Sequence, residues 1–479
     1  MSHTKLLIKN TGILIFGEVM SRVFSFFLII LIARYLGDVG LGKYSFVFAF
    51  VGVFSVLSDF GSTVYMTREI SRDTSLSDKY FGKVFVFKLL VGLLATVLPV
   101  VVIFFTSQSM EIKTGVLLTS IAMFFYYIAF SFRAVVNAFE VQGYQSLYVI
   151  SERIIAFILG AFVLYRGYGL LALLAVLVLS NASSYFILYK LVSKNIIKFQ
   201  LKFDYPFIKS FLKSSAPFWF TTIFMTIYFK IDTVMLSFMK DYAVTGWYNA
   251  AYKIIDALSF VPFVIITVVF PPMSKFYKSN ANFLRILYEK VFYYLALLAL
   301  PLGLGATMLA DRIILFVYKQ SFVNSVIALQ ILMWALVLIF VNYMMGYFLN
   351  SIEKQKLFTL TTGLCAVINI ILNFILIPPY SFKGAAIATV ATEFFNFVML
   401  YYFTSKNGYK INLSILAKPL IATVFMGIII YYTMFLHLLL IIPIAIAAYF
   451  AILLIMRGIH KEELDIAKMV YLQFSSKFK

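Results

Sequence analysis

Residues 10–34 read NTGILIFGEVMSRVFSFFLIILIAR, and the character of this stretch decides the class of fold. Its apolar run is long enough to cross a bilayer as a helix, which takes about 20 residues. Yet Glu18 and Arg22 stand near its middle. They are four residues apart, so they share a helical face and can pair. A charge at bilayer depth costs about 2.5–3.5 kcal/mol on insertion scales and normally faces protein or a watery cavity. The stretch is therefore expected to line a polar path through a membrane protein.

The rest of the chain agrees. Of 479 residues, 63% are hydrophobic and 13% charged, against roughly 25% charged in a soluble domain. This composition predicts an all-α polytopic membrane protein. The lone cysteine, Cys365, lies in an apolar run, which leaves no disulfide framework and no cysteine zinc site. The net charge of +20 is scattered over short connections instead of forming a basic domain. Membrane lipids are the expected partners, and nucleic acid is not. The first span is too long and too charged for a cleaved signal peptide and lacks a small-residue cleavage site, so it is expected to stay as span 1.

About fourteen transmembrane spans are expected, near 11–33, 43–66, 81–106, 115–138, 144–165, 167–189, 214–236, 246–270, 285–309, 322–349, 357–377, 382–403, 412–435 and 437–456. Lysine and arginine gather in alternate connections, which places both termini in the cytoplasm of a multi-pass plasma-membrane protein. The longest inner link, Lys190 to Lys213, carries six lysines and reads as topogenic charge on a linker. It separates an N-terminal six-helix lobe (1–200) from a C-terminal one (201–410). Two additional spans and a cytoplasmic tail follow (411–479).

The two sides of that link echo each other. Gly42-Lys43-Tyr44 returns as Gly246-Trp247-Tyr248, and Leu36-Gly37-Asp38 as Met239-Lys240-Asp241. Asn137-x-x-Glu140-x-Gln142 closes span 4 as Asn350-x-x-Glu353-x-Gln355 closes span 10. Gly169 and Gly384 open spans 6 and 12, and Ser193-Lys194 and Ser405-Lys406 follow them. Six spans is an even number, so the lobes are expected to be parallel, related by an axis along the membrane normal, with a site between them.

The run Ala33-Arg34-Tyr35-Leu36-Gly37, with Gly42-Lys43-Tyr44, Asp59-Phe60-Gly61 and Arg68-Glu69, resembles the opening of the polysaccharide-biosynthesis flippases. These belong to the multidrug/oligosaccharidyl-lipid/polysaccharide exporter superfamily. The later Lys383-Gly384-Ala385-Ala386-Ile387-Ala388-Thr389 is similar to that family's twelfth span. The resemblance covers the whole chain. It implies a transporter, not an enzyme, that flips a polyprenyl-(pyro)phosphate-linked oligosaccharide from the cytoplasmic to the outer leaflet by alternating access, for surface polysaccharide or glycoconjugate synthesis. Asp59-Phe60-Gly61 is no kinase motif, since no glycine-rich or catalytic-loop signature accompanies it.

Depth sorts the buried basic residues. Lys88, Arg133 and Lys290 lie near cytoplasmic span ends and are expected to snorkel out. Arg22 at the middle of span 1, Lys230 and Lys253 in spans 7 and 8, and Arg153 in span 5 lie deeper. With Glu18 they are the candidate cavity residues, because fixed cations neutralise a lipid phosphate and arginine matches its oxygens with a planar fork. The family resemblance implies cations on spans 1 and 8, where Arg22 and Lys253 fall. The competing reading pairs Arg22 with Glu18 and Lys253 with Asp256.

Asp232, Asn369, Asn373 and Thr389 sit at similar depth in the second lobe, and all offer oxygen, the ligand of hard cations. This resembles the sodium site that some superfamily members build on spans 7, 11 and 12. An acid on span 11 of some of those relatives would be Asn373 here, which leaves one formal charge and suits a monovalent ion. Inter-helical hydrogen bonding is the alternative. Asp256 and Glu393 are the other deep acids, able to exchange protons or to pair with Lys253 and Lys230. No cofactor is implied beyond a coupling sodium ion or proton.

Two other functions compete. A drug or organic-cation exporter of the same superfamily would have an acidic or aromatic cavity, whereas basic groups recur here. A membrane polymerase or ligase would gather acid–base groups on the outer face. The histidines are only His3, His437 and His460, and the outer loops are short. No Walker A run is present, so ATP is not the direct energy source.

Overall fold

The computed structural model describes residues 3–197 and 204–458. Among these residues every regular element is a helix: α1 His3–Phe54, α2 Ser62–Arg72, α3 Ser77–Phe104, α4 Met110–Ala138 and α5 Gln142–Tyr165. They continue as α6 Gly169–Asn195, α7 Tyr205–Met239, α8 Tyr242–Leu258, α9 Phe260–Ser279, α10 Ala281–Met308 and α11 Ala310–Val317. The described residues close with α12 Ser325–Ser351, α13 Gln355–Lys406, α14 Ala417–Tyr432 and α15 Leu438–Ile455. Helices are what an apolar sequence must form in lipid, because each backbone N–H and C=O finds its partner within the segment.

Among the described residues twelve helical stretches are long and apolar enough to cross a membrane. Two of them, within α1 and α13, contain a break in helical geometry, at Gly37 (φ 71°) and Ser381 (φ 56°). Counting the arms on either side of each break separately gives fourteen, in line with the expected number. The short α2 differs. Its buried residues Ser62, Met66 and Ile70 repeat every fourth position, and its arginines Arg68 and Arg72 lie off that face, the pattern of a half-submerged helix.

The helices sort into two compact units, Met1–Ala257 with Val317–Ala328 and Thr359–Thr392, and Leu258–Phe316 with Leu329–Phe358 and Glu393–Lys479. In the first unit α1 packs on α5 and α7, and α4 packs on α3 and α6. Buried Phe81, Phe85, Phe132 and Tyr185 supply its aromatic core. In the second, α14 and α15 pack together and α14 lies on α10. There Tyr449 satisfies its buried hydroxyl by donating to the Leu297 carbonyl at 2.7 Å.

The sequence echo is also an echo of conformation. Glu140 after α4 and Glu353 after α12 both adopt left-handed backbone angles, φ 56° and 61°. In each turn the glutamate N–H donates three residues back, to Asn137 at 3.2 Å and Asn350 at 3.3 Å. The next N–H reaches five back, Val141 to Val136 and Lys354 to Leu349. The same residues make the same helix stop in both halves.

A non-glycine residue in this region costs about 1–2 kcal/mol, and more when β-branched. Glu140→Gly and Glu353→Gly are therefore expected to unfold at higher temperature than Glu140→Val and Glu353→Val, by about 1–2 kcal/mol in stability. Equal melting of the glycine and valine variants would contradict the shared turn.

Candidate functional site

Two polar constellations lie inside the first unit. One is built where α7, α8 and α13 meet. Asp232 on α7 is 5% exposed, and Asn369, Asn373 and Thr389 on α13 are as deeply buried. The structure thus brings together all four oxygen-bearing residues. Asn373 Nδ2 donates to Asp232 Oδ1 at 2.5 Å and to Asn369 Oδ1 at 3.0 Å. Thr389 Oγ1 donates to Asp232 Oδ2 at 2.9 Å.

A fifth member escaped the sequence reading. Tyr248 of α8, also fully buried, donates from its hydroxyl to Asp232 Oδ2 at 2.8 Å and lies 3.1 Å from Thr389 Oγ1. Its signal was present as the second Gly-x-Tyr, which served only as a repeat marker. One acceptor in the cluster stays open: Asn373 Oδ1 is buried without a hydrogen-bond partner. Buried acceptors are rarely left so, and a carboxylate beside an orphaned amide oxygen fits a small cation.

The second constellation gathers cations. Arg22 on α1 is accessible to solvent and donates through Nη1 to the Asp256 carbonyl of α8, a long contact at 3.5 Å. Lys253 Nζ is 3.1 Å from Asp256 Oδ2, and the two side chains remain 28% and 48% exposed. The expected i,i+3 pair therefore forms. The stem of Lys230 on α7 lies against Gly52, where an added Cβ would meet its Cε at 3.7 Å. Lys230 feels the charges of Lys253 and Asp256. Arg22 and Lys253 meet at Asp256, the first at its main-chain carbonyl and the second at its carboxylate. Glu18 is half-buried one turn before Arg22 on α1.

Two expected members lie in other surroundings. Arg153 on α5 has its Nε 2.9 Å from Glu152 Oε2, among the phenols Tyr44, Tyr126 and Tyr148. Glu393 belongs to the second unit, where it is buried and accepts from Asn342 Nδ2 at 2.7 Å.

Lys88 requires a correction. It was expected to snorkel to the cytoplasmic surface, but its side chain has no exposed area. Its Nζ lies 2.5 Å from Asp59 Oδ1 and 2.8 Å from Thr63 Oγ1. The turn Phe60-Gly61, both left-handed, carries Asp59 into place. Trp219 stacks on Phe60 at 4.3 Å and donates to the Val56 carbonyl at 2.7 Å. A nearby carboxylate offered the ammonium more than a stretched stem did. Arg133 lies over the Phe130 ring, and Lys290 is exposed.

These features define a polytopic helical fold with charged groups inside its apolar helices. Residues 7–277, more than half of the chain, match the family model described as polysaccharide biosynthesis protein, and the chain belongs to that family. It is similar to the probable low-salt glycan biosynthesis flippase Agl15 of Haloferax volcanii, 23% identical over 176 residues, 36% of this chain and 37% of that one. The match to curated relatives thus spans little more than a third of their length. Among solved structures, the lipid II flippase MurJ in an inward closed conformation shares the fold at a TM-score of 0.79, with 18% identity over 92% of this chain and 97% of that one. An inward-facing multidrug resistance MATE transporter of the MOP superfamily does so at 0.66, with 14% identity over 81% and 95%.

Removing one partner of a buried ion pair leaves an uncompensated charge and costs about 3–5 kcal/mol. Lys88→Met is expected to lower stability by that order, and Asp59→Asn in the same protein to restore a large part of it. Thermal unfolding in detergent measures both. A double variant no more stable than Lys88→Met would show that the pair is not what holds this turn.

Proposed function

We propose that the chain flips a lipid-linked oligosaccharide, carried on a polyprenyl phosphate or pyrophosphate, from the cytoplasmic to the outer leaflet by alternating access of two six-helix lobes. The observation that carries this reading is the meeting of Arg22 and Lys253 at Asp256 within membrane-spanning helices. With Lys230, whose charge is felt there, three cations stand against the two acids Asp256 and Glu18, a positive surplus that suits an anionic headgroup and opposes an organic cation. Arginine offers the bidentate fork that phosphate oxygens accept. Membership of the polysaccharide biosynthesis family and the likeness to two flippases support a saccharide lipid as cargo. Both termini are placed in the cytoplasm by the lysine and arginine bias of the connections.

The cluster of Asp232, Asn369, Asn373, Thr389 and Tyr248 is the proposed coupling site. One carboxylate, two amide oxygens and two hydroxyls form an oxygen set of one formal negative charge, which suits sodium, and the orphaned Asn373 Oδ1 supports the assignment. In this conformation Asp232 accepts three hydrogen bonds from these neighbours, so they hold it in place without the ion.

Transfer of a labelled polyprenyl-pyrophosphate oligosaccharide between leaflets of reconstituted vesicles tests the cargo reading. Arg22→Ala is expected to slow it at least about tenfold, the loss of one charge-assisted contact, and full activity in that variant would remove the phosphate-binding role. For coupling, sodium in place of potassium should raise the melting temperature of the wild type and leave Asp232→Ala unchanged. Equal stabilisation of both proteins would exclude this site.

A further inference from the structure

The motif that marks the repeat is also a point of contact between its copies. In the first unit, the turn joining the arms of α1 meets the turn from α7 to α8. A Cβ on Gly42 would fall 1.7 Å from the Tyr242 carbonyl oxygen, and one on Gly246 would fall 2.0 Å from the Asp38 carbonyl oxygen. Asp38 stands four residues before Gly42, and Tyr242 four before Gly246. The two contacts are therefore one contact made twice, each glycine seated on the backbone that precedes the other. No other residue fits at such approach.

Polar groups surround this clasp. Trp247 Nε1 donates to Asp38 Oδ2 at 2.9 Å and to the Ser321 carbonyl at 3.1 Å. Lys43 pairs with Glu111 at 2.5 Å, and the Tyr242 hydroxyl donates to Gln108.

Two residues after each glycine stands a tyrosine. Tyr248 hydrogen-bonds Asp232 and lies against Thr389, while the ring of Tyr44 lies on Phe48, 4.6 Å between centroids. Two residues along a helix is a rise of about 3 Å, so Gly246 cannot withdraw far without moving Tyr248.

We infer that Gly42 and Gly246-x-Tyr248 form one coupling device: the two glycines together close the outer end of the path, and Tyr248 ties that closure to the polar site inside its own repeat. Tyr248 acts as a positioning residue through Asp232. Its hydroxyl fixes the first turns of α8, and with them Gly246, only while Asp232 Oδ2 accepts it. Loss of that acceptor frees the start of α8 and opens the clasp. The inference rests on the transport reading for its direction, since the clasp end is the outer end only in that topology.

The test reads conformation and not transport, so it stands or falls separately from the cargo. In full-length protein with Cys365→Ser, a reporter Ser25→Cys lies one turn from Arg22 on the same helix. It is labelled in right-side-out vesicles with a membrane-impermeant maleimide. Gly42→Ala and Gly246→Ala are each expected to raise the labelling rate about tenfold. Asp232→Asn and Tyr248→Phe should each raise it by a similar factor, the loss of one hydrogen bond to a charge, and their double variant no further than either alone. Because Tyr248→Phe keeps the ring, this arm decides the matter if the alanine variants fail to fold. Labelling at the wild-type rate in the folded variants, or a double variant whose increase is the product of the singles, would overturn the device.

Discussion

Lipid offers a charge no partner, so each ionised group within these helices must find one in the protein or face water. Three treatments of that constraint occur within the first unit. Lys88 is enclosed and paired with Asp59. Asp232 is enclosed and held by three uncharged donors. Arg22, Lys253 and Asp256 keep exposed area, with Lys253 paired to the Asp256 carboxylate and Arg22 at long range from its carbonyl. The first arrangement fixes a turn. The second keeps a carboxylate ready for a cation without stranding it. Only the third leaves cations with room for a further ligand, and on that difference the proposed headgroup site rests.

The transmembrane architecture was legible because apolar length and loop charge act locally along the sequence. The breaks at Gly37 and Ser381 fall in the expected turns after spans 1 and 11, and Glu140 and Glu353 show that the matched motifs encode matched geometry. Side-chain partnerships across helices were less so. Lys88 sits close enough to a span end for snorkelling to look cheap, and only the fold shows the Asp59 carboxylate within reach. Tyr248 and Asp232 face each other across the α7–α8 turn, a register that hydropathy does not report. Lys253 and Asp256 were predictable as a pair because helical spacing alone joins them. Arg153 was grouped with the cavity by depth, yet its neighbours are Glu152 and three tyrosines, since depth does not fix rotation about a helix axis.

The internal duplication gives the two constellations a common logic. The close backbone contact at Gly42 and Gly246 depends on the absence of side chains at two equivalent positions. The tyrosines that follow them differ in what they meet, the Asp232 cluster for Tyr248 and the Phe48 ring for Tyr44. A duplicated scaffold that kept its turns while its interior polar groups diverged accounts for both facts.

In the proposed function Arg22, Lys230 and Lys253 hold an anionic lipid headgroup. Calorimetric titration of the detergent-solubilised protein with a short-chain isoprenyl pyrophosphate, and with the matching uncharged isoprenol, tests it most directly. The pyrophosphate is expected to bind at least about tenfold tighter, a difference of about 1.4 kcal/mol, and the gap to close in the double variant Arg22→Ala/Lys253→Ala. Equal affinities for the two ligands, or a gap that survives in the double variant, would contradict it.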